Sequence, residues 1–286
     1  MFWWILLFSL LGGVLSILAA SVFLLIREPL RTRLIPHIIS FAIGALLGAA
    51  FLALLPHAVE PVPSAGSAML SLSEQLVYGL DNTRVSVQQT LSIHQVALLV
   101  LLGILGFFLL EKMVLWRHCH SAHCAAHVPD TSLANGQNKS TVTLILIGDA
   151  IHNLVDGVVI AAAFLTDFHL GLVTTLALAA HEIPQEVGDF AILLNSGMSR
   201  RRAFFYNTLV SLTTVAGALI AFFSLSFASL AVPYVLAVAA SSFIYIAVAD
   251  LIPGLHEKTR LRDTLTQLLL IGSGVVLIYL AHTTLH

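Results

Sequence analysis

The chain has 286 residues, 58% of them apolar and only 10% charged, with a formal net charge of −2. A soluble domain carries about a quarter charged residues, so this composition excludes one and describes a protein embedded in a bilayer. The near-neutral balance lacks the basic stripe that nucleic-acid binding needs, and two cysteines, Cys119 and Cys124, are too few for a disulfide framework.

The first element, "MFWWILLFSLLGGVLSILAASVFLLI", runs apolar over residues 1–26 with no basic residue ahead of it. That exceeds the apolar core of a signal peptide and fits a spanning helix. Further runs near 34–58, 94–116, 141–166, 169–196, 203–227, 231–254 and 264–284 each reach the length of about 20 residues that a bilayer requires. The expected fold is therefore all-α, with eight transmembrane helices in one bundle and one domain over 1–286. Period-2 alternation is absent, which excludes a β-barrel pattern, and no internal repeat is evident. The gap at 167–168 is the narrowest connection. Gly44 and Gly48 form a small-xxx-small pair suited to close helix packing inside the molecule in preference to a dimer face. Segment 59–93, with Pro61, Pro63 and Gly66, reads as an extracytoplasmic loop, and 117–140 as a cytoplasmic one.

Charge placement tests the count. Arg27, Arg31 and Arg33 lie between spans 1 and 2, and Lys112, Arg117 and Lys139 at or in the 3–4 connection. Arg200, Arg201 and Arg202 follow span 5, and Lys258, Arg260 and Arg262 follow span 7. These are 12 of the 13 basic residues, leaving only Arg84 for the opposite side. The positive-inside rule then puts these connections in the cytoplasm and both termini outside.

Asp149, Asp156, Glu182, Glu186, Asp189 and Asp250 fall within spans or close to their ends. A carboxylate at mid-bilayer is unfavourable by roughly 2.5–3.5 kcal/mol on insertion scales, and no Lys or Arg lies in spans 4 or 5 to neutralise the set. A bound cation answers this. In "GDAIHNLVDG", 148–157, a turn of about 100° per residue brings Asp149, His152 and Asp156 onto one face, with Asn153 at its border. In "HEIPQEVGDF", 181–190, His181 and Gln185 are one turn apart, as are Glu182 and Glu186, and Asp189 continues between the rows. Facing each other, the two stripes enclose imidazole, carboxylate and amide ligands suited to Zn²⁺, Fe²⁺, Mn²⁺ or Cd²⁺. Neither stripe contains Cys or Met, which disfavours Cu⁺. Pro184 cannot donate to Ala180, freeing that carbonyl within the cluster. Asp149 and Asp189 are candidates for outer-shell groups or proton carriers, and His57 and Glu60, at the end of span 2, for an outer filter.

The loop "HCHSAHCAAH" places His118, Cys119, His120, His123, Cys124 and His127 within ten residues. Thiolates and imidazoles at this irregular spacing suit a flexible metal sensor or chelator.

"HNLVDG" and "HEIPQEVGDFAIL" resemble the paired signatures of the ZIP family of divalent-metal transporters, within it the branch with a histidine-rich cytoplasmic loop. "LLPHAVE", "EKMVLW" and "IYIAVADLIPGLHE" extend the likeness over most of the chain. The resemblance implies a metal site between spans 4 and 5, uptake toward the cytoplasm and a homodimer. It also implies His152, Asn153, Asp156, His181, Glu182 and Gln185 as core ligands, with Glu186 as the second acid of the signature. Two positions depart from the family: Gln185 stands where many members of this branch have histidine, and Thr214 stands near where some bacterial members offer a glutamate to a second metal. The expected protein is a multi-pass transporter of Zn²⁺ ahead of Fe²⁺, Mn²⁺ or Cd²⁺, in a plasma or inner membrane and not an organelle membrane, with no prosthetic group and no enzymatic activity. The alternative is an intramembrane zinc metalloprotease, which needs His-Glu-x-x-His; here Gln185 occupies the second histidine's place.

Overall fold

The computed structural model describes residues 1–60, 91–116, 138–227, 229–256 and 260–285. Among these, every regular element is helical. Helix α1 spans Phe2–Leu25. Helix α2 runs Glu28–Ala49, widens into a π-helical Ala50–Leu54 and finishes as Leu55–Val59. Helices α3 to α6 are Ile93–Trp116, Asn138–Thr166, Phe168–Asn195 and Arg200–Phe227. Helix α7 runs Val232–Tyr245, widens at Ile246–Leu251 and ends with Ile252–Leu255, and α8 is Leu261–Leu285. The loop expected over 117–140 gives way to α4 at Asn138, three residues early; its His and Cys residues, and positions 61–90 of the other long loop, lie outside the described residues.

Among the described residues, seven helices are long and apolar enough to cross a membrane. The eighth, α5, has 28 residues, about 42 Å at 1.5 Å per residue. Its length suffices; what sets it apart is the polar stripe of His181, Glu182, Glu186 and Asp189. Only Asp167 separates α4 from α5. Its extended backbone breaks the helix, and its carboxylate accepts the N–H groups of His169 (2.8 Å) and Leu170 (3.0 Å) as an N-cap.

The two π-helical segments share a cause. Pro56 and Pro253 each follow one by two residues. Inside a regular helix, proline's ring collides with the carbonyl four residues back, here Leu52 and Ala249, both within the widened turns. Winding the helix wider relieves the collision. Helices α2 and α7 thus share a widened turn just ahead of a proline, Pro56 in one and Pro253 in the other.

Packing divides the helices into two groups. Helices α1, α4, α5 and α6 contact one another closely, α4 above all on α6; α2, α3, α7 and α8 form the second group, with α8 on α2 and α3 on α7. The groups meet mainly where α2 lies against α5. Phe164, Phe243, Leu46, Leu54, Ile160, Leu178 and Leu236 are fully buried in the shared core, while α3 and α8 are the least covered spans.

Each group holds a helix pair locked by close backbone contact at glycines on both helices. A Cβ at Gly157 would strike the Thr214 carbonyl, and one at Gly217 the Leu154 carbonyl, so α4 and α6 close only because both positions are glycine. Gly44 and Gly274 do the same for α2 and α8, and Gly48 meets Val275 and Ile278; the small-xxx-small pair of α2 packs within the molecule. Gly157→Ala should therefore lose about 1–3 kcal/mol, the usual penalty of overpacking, and melt several degrees lower in detergent. Gly106→Ala, in open space on α3, should melt at the parent temperature or slightly above it.

Candidate metal site

The short α4–α5 connection makes these helices antiparallel neighbours and sets their polar stripes face to face at mid-length. Among the described residues, His152, Asp156, His181 and Glu182 form a group whose ligand atoms all lie within 4.8 Å of one another. His152 Nε2 is 3.2 Å from His181 Nε2, 3.5 Å from Asp156 Oδ2 and 3.5 Å from Glu182 Oε1. His181 Nε2 is 3.6 Å from both carboxylate oxygens. Four ligands placed tetrahedrally around an ion at about 2.0–2.2 Å stand about 3.3–3.6 Å apart, so five of the six edges already have the dimensions of a zinc cage. Asp156, His181 and Glu182 are buried, and His152 retains 22% exposure. Neither carboxylate has a hydrogen-bond partner on either oxygen, whereas buried polar atoms are nearly always bonded. Two carboxylates with two neutral imidazoles balance a divalent cation.

The other three expected ligands are turned elsewhere. Asn153 donates through Nδ2 to the Asp149 carbonyl (3.1 Å) and to Asp149 Oδ1 (2.9 Å), and its Oδ1 accepts from Thr214 (2.8 Å). Gln185 Nε2 donates to the same Asp149 oxygen at 3.1 Å. Glu186 accepts at Oε2 from Asn207 Nδ2 (2.7 Å), and its Oε1 is 3.2 Å from Ser211 Oγ. That hydroxyl is also 3.2 Å from the Gly13 carbonyl. Asp149 is thus the hub of an amide network behind the four-ligand group, and Asp189 sits half-buried further along α5. A cavity with room for about one water adjoins the group, bounded by Gly12, Gly13, Asn153, Asp156, Glu182 and Thr214.

His57 lies apart, at the end of α2, with Nδ1 2.8 Å from the Ala53 carbonyl, Nε2 3.9 Å from Glu60 and its ring edge-to-face with His282 of α8. In α7, Tyr245 donates to Glu111 of α3. Asn207 and Ser211 went unnoticed in the sequence, although Asn207, Ser211 and Thr214 at i, i+4 and i+7 make one buried polar face of α6.

A bundle of membrane-length helices enclosing a two-histidine, two-carboxylate group with the spacing to take a metal ion defines the class: an integral membrane protein with a candidate metal site in its interior. The model of the ZIP zinc transporter family matches residues 116–282. Zinc transporter ZIP13 of Pongo abelii is 34% identical over 248 residues, 85% of this chain and 66% of that protein. ZIP13 of Gallus gallus is 30% identical over 298 residues, 90% of this chain and 76% of that protein. Zinc transporter ZIP4 of Rattus norvegicus is 36% identical over 157 residues, covering only 24% of its own length. The chain therefore spans about two thirds to three quarters of the ZIP13 proteins and about a quarter of ZIP4. It belongs to the ZIP zinc transporter family.

Ligand and network roles separate on titration. Structural zinc binds with roughly 10–16 kcal/mol, or about 3 kcal/mol per ligand over four, so His181→Ala should weaken Zn²⁺ binding at least about hundredfold. Gln185→Ala, which removes only a bond to Asp149, should weaken it less than about tenfold. Calorimetric titration of the purified protein measures both.

Proposed function

We propose that this protein carries a divalent metal ion, Zn²⁺ foremost, across the membrane into the cytoplasm, loading it between α4 and α5. The supporting observation is the tetrahedral spacing of His152, Asp156, His181 and Glu182 inside the bundle. A d¹⁰ ion with no geometric preference accepts such an N₂O₂ cage readily, while ions that favour six oxygens fit it less well. The relatives are themselves named zinc transporters. Asn153, Gln185 and Glu186 serve in this reading as supports, fixing the helices that carry the ligands.

Transport requires the site to face each side in turn. The basic connections mark the cytoplasmic side, leaving both termini outside, and the His/Cys segment 118–127 then stands where the ion is delivered, as acceptor or sensor. The membrane is the plasma or inner membrane. A homodimer would seat its second copy on α3 or α8, whose outer faces are apolar, including Leu98, Leu105 and Leu109 of α3 and Leu268, Leu269 and Val276 of α8. The protease reading has no support: Gln185, where the second zinc histidine would stand, donates to Asp149.

In proteoliposomes, Asp156→Ala and Glu182→Ala should each abolish ⁶⁵Zn²⁺ uptake while the protein still inserts; uptake at the parent rate in both would refute the site. Cd²⁺ should compete with Zn²⁺ more strongly than Mn²⁺ does. Because binding requires neutral imidazole and ionised carboxylate, apparent affinity should fall as the loading side is acidified.

A further inference from the structure

Below the four-ligand group lies a second polar layer. Asp149 precedes His152 by one turn of α4, and Glu186 follows Glu182 by one turn of α5. Since the two helices are antiparallel, both steps lead toward the same membrane face, that of the α3–α4 and α5–α6 connections. Helix α6 begins at that face and brings Asn207, 1% exposed, against Glu186 at 2.7 Å. The layer is built of oxygen donors without imidazole.

Two of its atoms have nothing to bind. Asp149 uses Oδ1 for Asn153 and Gln185, yet Oδ2 is buried without a partner. Asn207 spends its amide N–H on Glu186, yet its Oδ1 is buried without a partner. Each is an acceptor, open to a cation or to a water bound to one. Two orphaned acceptors in this layer, beside a buried carboxylate, describe a place for a cation.

We propose that Asp149, Glu186 and Asn207 form a second divalent-cation station, one helical turn from the four-ligand group, that takes the ion with part of its water shell. This rests on the transport reading above. Oxygen ligands with water hold Zn²⁺ less firmly than two imidazoles and two carboxylates, and they distinguish it less well from Mn²⁺. A tight cage followed by a loose oxygen site lets the ion descend in affinity toward the cytoplasmic loops. Asp189, three residues beyond Glu186, extends the acidic row in that direction.

The test is Zn²⁺ titration, by calorimetry, of the full chain with His118, Cys119, His120, His123, Cys124 and His127 replaced by serine, so that the loop contributes nothing. Two classes of site are expected, the weaker displaced by Mn²⁺. Glu186→Gln and Asn207→Ala should weaken the looser class at least tenfold and the tight class, whose helices they brace, by a smaller factor. Asn207→Asp should tighten the looser class, a gain that misfolding cannot mimic. A single class in the parent, or a looser class indifferent to all three substitutions, overturns the second station. Asp156→Ala should remove the tight class alone; a tight class that survives it refutes the four-ligand group instead, and the two failures are told apart.

Discussion

Asp156 and Glu182 are buried in the middle of a membrane bundle without a hydrogen-bond donor for any of their four oxygens, and the rest of the interior is arranged around that fact. At roughly 2.5–3.5 kcal/mol each, two such groups rival the net stability of a whole domain, about 5–15 kcal/mol. Other buried acids here are treated differently: Asp149 receives two amides, and Glu186 receives an amide and faces a hydroxyl. The pair beside His152 and His181 receives no such bond on any oxygen.

The framework serves that arrangement. The glycine contacts of α4 with α6 bring Thr214 to Asn153 and Thr213 to the Ala150 carbonyl at 2.9 Å, so α4 is gripped along the turns that carry its ligands. Helix α5 is fixed at one end by the Asp167 cap and at the other side by Glu186 on α6. With both helices held this way, four side chains from two helices bring their ligand atoms within 4.8 Å of one another without loops.

Much of this was legible in the sequence. Hydropathy located the eight helices because lipid demands length and apolarity, and charge asymmetry supported their count. The clustering of these four side chains was legible because helical spacing puts His152 with Asp156, and His181 beside Glu182, on facing stripes. Spacing assigns a side chain to a face but not to a partner, which is why Asn153 and Gln185 looked like ligands and are turned to Asp149. Asn207 and Ser211 escaped notice because single amides and hydroxyls in an apolar run draw less attention than charges, although their periodicity was there to count. The widened turns of α2 and α7 escaped because they are a backbone event: only a proline two residues past each marks them.

Those widened turns have a geometric outcome. Each adds a residue to a turn, and one residue is about 100° of rotation about the axis. The terminal segments Leu55–Val59 and Ile252–Leu255 therefore face directions that the helices behind them would not have given. His57 meets His282 through this offset; without it the imidazole would swing away from α8. Each of the two helices ends in a short piece whose azimuth is set independently of its long body.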